Sequence, residues 1–449
     1  MLEMPKVYYA RSGDVRIAYF TLGDGPNDIL IAPGATSHLE QNWTIPLLRE
    51  FYLGAATLGR VITFDKRGNG MSDRDATFTF DERLDDIRAV LDAVGSTQVH
   101  LIGISEGGPM SAVFAATFPE RVRSLAFYGS FASWRKRPGH PSGDPRTVAE
   151  FVRDTEKLVD GFDDDAVIGE WVSVFGPATY AEHPEMLSRA CRTLRDRVSP
   201  TGFRAHWTAA YEADVRHVLP NLHLPTLVIH RTGDLGVPVG SGRYLAANIP
   251  NARYLELPGT EHIEMPGDEL VAWIDEQNLK ESDVPFSGRS LATVLFSDLV
   301  RSTESAVKVG DAAWRSKLDE HDKAVASAVA GHGGRLVKST GDGVLATFDG
   351  PSRAVRCGLE LHESLTAFGL KMRVGMHTGE IETRGDDVAG IGVHIAARVA
   401  AMAGTGETLV SSTVKDLVSG SGLTFADRGR HALKGVPEEW QLFAATGGF

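Results

Sequence analysis

A chain of 449 residues exceeds one ordinary domain, so two or three are expected. With 42% hydrophobic and 23% charged residues it has the composition of a globular protein, and no apolar run reaches the length of a membrane span. A net charge of −13 argues against nucleic acid or an anionic membrane as partner, and its two cysteines, Cys191 and Cys357, offer neither a disulfide framework nor metal-ligand spacing.

The opening stretch MLEMPKVYYARSGDVRIAYF lacks a basic segment followed by an apolar core and does not read as a signal peptide; with the sparse cysteines this predicts a cytoplasmic protein. From Val7 to about Gln277, short apolar runs alternate with helical patterns. DILIAPG, RVITFD, QVHLIGIS, VRSLAFYG and PTLVIH read as buried parallel strands of an α/β sheet. Between them DERLDDIRAVLDAVG places Leu84, Ile87, Leu91 and Val94 on one helical face, which is expected to pack on that sheet.

QVHLIGIS runs into Glu106-Gly107-Gly108 and then a helical stretch, giving Gly103-x-Ser105-x-Gly107 at a strand–turn–helix junction. Such a turn lifts a serine hydroxyl above the sheet and tolerates only small residues two places either side. A serine nucleophile needs a base and a group to orient that base. LVIHRTGDLGVP supplies Asp234 just after a strand, and LPGTEHIEMPGD supplies His262 in the next loop. Taken singly, Asp234 is a turn residue and His262 a surface histidine; their order and their placement after successive strands suggest a triad. The backbone N–H groups of Glu106 and of Ala35, in APGATSH, are the expected oxyanion donors. FDKRGNGMSD, residues 64–73, reads as a structural turn.

Residues from about 133 to 219 break the alternation. FVRDTEKLV, IGEWVSVFG, EMLSRACRTLRDRV and GFRAHWTAAYEADV look helical and are expected to form a cap over the mouth of the site. Trp171, Trp207 and Tyr211 either line an apolar pocket there or make the cap's own core. DELVAWIDEQ closes the first domain as an amphipathic helix, followed by the polar LKESDVPFSGRS. The expected division is residues 1–280, a linker at 281–290, and a second domain at 291–449.

The second domain restarts with LATVLFSD, an apolar strand ending near Asp298, then a Ser/Thr-rich turn in which Thr303 or a neighbour is expected to cap a helix. In DAAWRSKLDEHDKAVASAVAGHGG, Trp314, Leu318, Val325 and Val329 share one face of a long helix. RLVKSTGDGVLATF, residues 335–348, reads as two strands joined at Gly-Asp-Gly, a hairpin that carries Lys338 and presents Asp342 at its tip. An Asp-Gly turn and an edge-strand lysine need no function of their own. What gives them meaning is the second carboxylate, Asp298.

These segments, continued by MRVGMHTGEI, DDVAGIGVHIAAR and RGRHALKGV, resemble the class III adenylate/guanylate cyclase catalytic domain, an α+β ferredoxin-like fold. The chain as a whole resembles bacterial fusions of an α/β-hydrolase-like domain, with its helical cap, to such a cyclase. The resemblance implies that Asp298 and Asp342, with the carbonyl of Leu299, hold two Mg²⁺ or Mn²⁺ ions per site, hard cations suited to oxygen donors and substrate phosphates. It matches Lys338 and Asp387 to the pair that reads adenine: lysine donates to N1 and aspartate accepts from the N6 amine. Arg398 matches the arginine that stabilises charge on the α-phosphate, and Arg373 and Lys434 match triphosphate contacts. Where the family has an asparagine that orients the ribose, this chain has His394, which donates one hydrogen bond with a different reach. The implied substrate is ATP and the implied assembly a homodimer, because the metal aspartates of one protomer face the purine pair and arginine of the other. The implied reaction is conversion of ATP to 3′,5′-cyclic AMP and pyrophosphate. Two rival readings fit the same residues: a carboxylester hydrolase with a nucleotide-binding regulatory domain, and a hydrolase fold that only senses an unknown small ligand.

Overall fold

The computed structural model describes residues 3–74, 79–140, 142–280, 288–300, 302, 304, 307, 310–339, 341–366 and 368–447. Most of the expected linker, 281–287, and the proposed cap Thr303 lie outside the described residues. The chain divides into two units, residues 1–78 with 82–285 and residues 79–81 with 286–449.

In the N-terminal unit, eight strands form one sheet: β1 (Tyr8–Ser12), β2 (Val15–Leu22), β3 (Asp28–Ala32), β4 (Arg60–Phe64), β5 (Val99–Ile104), β6 (Val122–Tyr128), β7 (Thr226–Arg231) and β8 (Arg253–Leu257). Their order is β1-β2-β4-β3-β5-β6-β7-β8, antiparallel across β1, β2 and β4 and parallel from β4 onward. The runs predicted as parallel strands are β3 to β7, and their apolar continuity follows from burial on both faces. Parallel alignment has a functional consequence. It brings every loop that leaves a strand's carboxyl end to one edge of the sheet, where open α/β sheets place their sites.

Leu84, Ile87 and Leu91 of the helix Phe80–Ala93 are buried, as their spacing predicts. The helix Gly107–Thr117 is buried at every position, so it has no polar face to reveal it by amphipathic pattern. Between β6 and β7 stand five helices: Val148–Asp160, Asp165–Ser173, Pro177–Glu182, Pro184–Arg197 and Pro200–Glu212. The first opens on a capping box in which Glu150 N–H donates to Thr147 Oγ1 at 3.3 Å and Thr147 N–H donates to Glu150 Oε2 at 2.8 Å. These helices enclose a core of their own around Phe151, Cys191, Phe203, Trp207 and Tyr211, with Trp171 packed at its edge. Of the two readings of those aromatic residues, cap core is the one observed for Trp207 and Tyr211, whereas Trp171 also lines a cleft with Leu158, Val167 and the charged Asp154, Lys157 and Glu170.

The C-terminal unit is built on a second sheet of β9 (Arg289–Leu299), β10 (Arg335–Ser339), β11 (Gly343–Phe348), β12 (Met372–Arg384), β13 (Asp387–Ala389), β14 (Thr408–Ser411), β15 (Thr424–Ala432) and β16 (Glu439–Gly447). The order is β10-β11-β9-β12-β14-β16-β15, with β13 paired to β12. β9 alternates between two buried faces. Leu295 and Leu299 join Val325 and Val329 of the helix Asp311–Gly331 and Val355 and Leu361 of the helix Pro351–Thr366, whereas Ala292 and Val294 face Ala396 of the helix Ile391–Met402. That last helix rides directly on β12, because a Cβ at Gly375 would strike the backbone nitrogen of Ala400. No described helix is long and apolar enough to cross a membrane.

Candidate active sites

Ser105 follows β5 with φ = +51°, a left-handed conformation rare for a residue with a side chain and costing of the order of 1–2 kcal/mol. Its neighbours explain the small residues around it. A Cβ on Gly103 would lie 2.8 Å from Ser111 Oγ, one on Gly107 would lie 2.6 Å from the carbonyl oxygens of Ala32 and Pro33, and one on Gly108 would collide with Ser130. Ser105 N–H donates to the Tyr128 carbonyl at 2.8 Å, and Ser130 Oγ donates to the Ser105 carbonyl at 2.8 Å, so the turn is tied to the end of β6.

Asp234 follows β7 and is buried. Its Oδ1 accepts the N–H groups of Gly236 and Val237, each at 2.9 Å, and its Oδ2 accepts from His262 Nδ1 at 2.6 Å. His262, in the loop after β8, lies over Tyr128 with ring centroids 6.2 Å apart and against Gly129, beside the residue that holds Ser105. Asp234 and His262 therefore meet directly, and both approach the serine turn at the tip of β6. Among the described residues the backbone N–H groups of Ala35 and Glu106 find no protein acceptor, which leaves both free to donate.

Two features here lie outside the sequence reading. Phe175 of the cap places its ring centroid 5.5 Å from that of His262, and its carbonyl accepts Ile263 N–H at 3.0 Å. The Glu106 carboxylate is buried between Lys66 and Arg83. Burial alone would raise the Glu106 pKa, but Arg83 and Lys66 bring it below the ordinary value. Burial lowers Lys66 to about 8 against the pull of Glu106, and it holds His206 well below its ordinary value, with Lys66 and Arg83 acting the same way. A lysine directly after an apolar strand, in FDKRGNG, was the one sequence signal for this cluster.

In the C-terminal unit β9 runs between β11 and β12, and its register sets Asp298 opposite Gly343 on one side and Arg373 on the other. Arg373 Nη2 donates to Asp298 Oδ2 at 2.6 Å. The hairpin tip returns to the same place: the Asp342 carbonyl accepts Leu299 N–H at 3.0 Å, and the Asp342 carboxylate accepts the Ser302 hydroxyl. Asp298, Leu299, Asp342 and Arg373 line one cleft of about 530 Å³ with Ser302, Glu304 and the Ala403–Thr405 turn. Among the described residues no cluster of three or more His, Cys, Asp or Glu could hold a metal by itself. Two carboxylates and backbone oxygen are nevertheless a donor set that fits Mg²⁺ or Mn²⁺ completed by substrate phosphates and water.

The other predicted nucleotide residues do not line that cleft. Lys338 Nζ donates to Asp387 Oδ2 at 2.7 Å and to Oδ1 at 2.8 Å, joining β10 to β13 on an exposed edge. Lys338 is also the main reason that the Asp387 pKa lies below its ordinary value. His394 and Arg398 are exposed one turn apart on the helix Ile391–Met402, and Lys434 is exposed after β15. The predicted residues of this unit thus divide into Asp298, Leu299, Asp342 and Arg373, which line the cleft, and Lys338, Asp387, His394, Arg398 and Lys434, which do not. The Arg373–Asp298 pairing follows from the antiparallel register of LATVLFSD with MRVGMHTG, which sets the two residues opposite each other.

Fold and sites define a protein with two catalytic-type domains in one chain. Residues 34–265 match the alpha/beta hydrolase fold family, and residues 287–445 match the adenylate and guanylate cyclase catalytic domain. The chain belongs to the alpha/beta hydrolase fold family and is a fusion of such a domain to a class III cyclase catalytic domain. A putative adenylate cyclase 3 of Rhizobium meliloti (strain 1021) is 31% identical over 159 residues, 30% of this chain and 27% of that protein. An uncharacterized protein of Mycobacterium tuberculosis (strain ATCC 25618 / H37Rv) is 31% identical over 175 residues, 38% of this chain and 60% of that protein. The chain thus spans less than two thirds of either relative. The solved esterase of Exiguobacterium antarcticum superposes with a TM-score of 0.51 at 22% identity, covering 61% of this chain and all of that one, a likeness of fold.

Proposed function

We propose that the protein is an adenylate cyclase that converts ATP to 3′,5′-cyclic AMP and pyrophosphate in composite sites between two copies of the chain. The observation that supports this reading is that the residues expected to bind the nucleotide do not all line one cleft. Asp298, Asp342 and Arg373 share one cleft, whereas the Lys338–Asp387 pair and the His394/Arg398 face are exposed outside it. Neither group alone serves a whole nucleotide; facing groups from two protomers would.

Asp298 and Asp342 would hold Mg²⁺ or Mn²⁺ with the Leu299 carbonyl. When bound, such ions neutralise phosphate charge and lower the pKa of the ribose 3′-hydroxyl. Arg373, paired with Asp298 in this structure, would release it and meet the triphosphate. From the partner copy Lys338 would donate to adenine N1, and Asp387 would accept from the N6 amine. Arg398 would donate to the α-phosphate as the 3′-oxygen forms its bond to phosphorus, the bond to the β-phosphate oxygen breaks, and pyrophosphate leaves. His394 would donate to the ribose.

For the N-terminal domain we infer a serine hydrolase acting on an ester whose identity its cap selects. His262 would take the Ser105 proton at Nε2 while donating from Nδ1 to Asp234, with the Ala35 and Glu106 N–H groups receiving the oxyanion. The positive φ of Ser105 favours hydrolysis over ligand sensing, because retained strain suits a reactive turn. One assay tests both halves: purified full-length protein with ATP and Mn²⁺ or Mg²⁺, in parallel with p-nitrophenyl butyrate. Cyclic AMP and p-nitrophenol are the expected products. Ester turnover without cyclic AMP under either metal would favour the regulatory reading of the cyclase domain.

A further inference from the structure

The two oxyanion donors come from different loops, Ala35 after β3 and Glu106 after β5. Such donors work only when both lie about 2.7–3.1 Å from the developing oxyanion, so their spacing must be fixed from behind. One side chain reaches both residues. Lys66, buried just after β4, donates from Nζ to the Ala35 carbonyl at 3.0 Å and to Glu106 Oε2 at 2.5 Å. Its own N–H donates to Ser37 Oγ at 3.2 Å, which ties it again to the loop that carries Ala35. On the far side of Glu106, Oε1 takes the Arg83 guanidinium, and Arg83 Nη2 lies 3.1 Å from Nδ1 of His206 in the cap helix Pro200–Glu212.

We propose that Lys66 is a positioning residue that holds the oxyanion donors of Ala35 and Glu106 in register, bracing the two loops through a single buried ammonium group. The proposal rests on the hydrolase reading of Ser105. A lysine sealed beneath a nucleophile turn is expensive to desolvate, and a packed apolar residue would stabilise that place as well or better. The ammonium adds what an apolar residue cannot: two directed bonds to two loops. It also leaves a favourable imbalance. Lys66 and Arg83 together carry one positive charge more than Glu106, and burial keeps His206 neutral, so the excess lies beneath the point where negative charge develops.

The test uses the full chain and p-nitrophenyl butyrate. Lys66→Met is expected to lower kcat by about ten- to a hundredfold, less than the roughly hundred- to thousandfold cost of removing one oxyanion donor outright, with KM within about twofold of wild type. A merely structural role would not produce the accompanying pH signature. The charged groups facing Lys66 are Glu106, held below its ordinary pKa, and Arg83, with His206, held well below its own, beyond them; burial brings Lys66 itself down to about 8. Wild-type kcat should therefore fall above about pH 8, and Lys66→Met should lack that alkaline limb. A Lys66→Met protein with wild-type kcat overturns the brace, as does a wild-type profile flat to pH 9.5. If the variant does not fold, the wild-type limb decides alone. A wild type that neither turns over the ester nor reacts with a fluorophosphonate overturns the hydrolase reading itself and the brace's catalytic role with it, a result distinct from an active enzyme indifferent to Lys66.

Discussion

Asp298 stands where three strands meet, and two different jobs compete for it. Its register partner Arg373 donates to it across β9 and β12, a pairing any sheet could use for stability, yet the same carboxylate opens into the cleft that Asp342 also lines. Both residues are over a third exposed, so their ion pair contributes little to folding. Asp298→Ala should therefore leave the melting temperature within a few degrees of wild type while cyclic AMP formation falls at least about a hundredfold and ester hydrolysis persists. Asp298→Asn keeps an acceptor for Arg373 without the charge and should be equally inactive; cyclase activity near wild type in that variant would mean the carboxylate serves only the cross-strand pair. A second single-residue prediction concerns acid stability. His100 is buried, with Nε2 2.9 Å from Asn278 Oδ1 and Nδ1 2.8 Å from Ser124 Oγ, and burial depresses its pKa to about 4. Above pH 6.5 neither folded nor unfolded chain protonates it. As pH falls from 6.5 toward 4 the unfolded chain gains a proton the fold refuses, so stability is lost across that window, on the order of 3 kcal/mol at its end. Calorimetry from pH 7 to 4.5 should show a falling melting temperature whose slope is reduced in His100→Gln; equal slopes would refute the assignment.

Glycine packing links the elements to their sites. Gly375 lets the helix Ile391–Met402 lie against β12, and that helix carries His394 and Arg398. A methyl group there has backbone as its neighbour, so the helix must move, at a cost of about 1–3 kcal/mol. Gly375→Ala should reduce cyclic AMP formation by about tenfold or more, since a 1 Å misplacement can cost a hundredfold, while p-nitrophenyl ester turnover is unchanged. Full cyclase activity in that variant would show that the helix position is not tied to catalysis. The elements themselves were largely legible. Two-sided burial gives β3 to β7 continuous apolar runs, and the strand–turn–helix elbow stands out because Gly103, Gly107 and Gly108 are each forced by a specific neighbour. The five-residue β1 and the helix Pro177–Glu182 were not read, being short and without a clear apolar period. Pairings across elements were harder still. The Lys66–Glu106–Arg83 cluster joins three loops or helices, and apart from the place of Lys66 just after an apolar strand no local pattern distinguishes such a buried charge from a solvated one. Likewise the bond between Asp234 and His262 could be expected from chain order, whereas the approach of Phe175 from the cap could not.

Under the proposed function each site needs two copies, because Asp298 and Asp342 line one cleft while the Lys338–Asp387 pair lies outside it. Lys338 and Asp342 share one hairpin, yet the Asp342 carboxylate turns to Ser302 and the cleft while Lys338 pairs with Asp387 outside it. Under the composite arrangement they belong to different sites, so Lys338→Ala and Asp342→Ala should each be nearly inactive as homodimers. Mixed and allowed to exchange, they form heterodimers in which both lesions fall in one site and the other site is intact. Random pairing makes about half the dimers of this kind, each with one working site of two, so activity should recover to about a quarter of wild type. The double variant Lys338→Ala/Asp342→Ala mixed with an equal amount of wild type supplies the opposite case. There each heterodimer has one lesion in each site, and activity should fall on exchange from about half to about a quarter of the wild-type value. If both residues served the same site, the first mixture would stay inactive, and the second would remain near half because every heterodimer would keep one intact site. With exchange verified by native mass spectrometry, the two mixtures separate a composite dimer from a site complete within one chain without reference to how fast either site turns over.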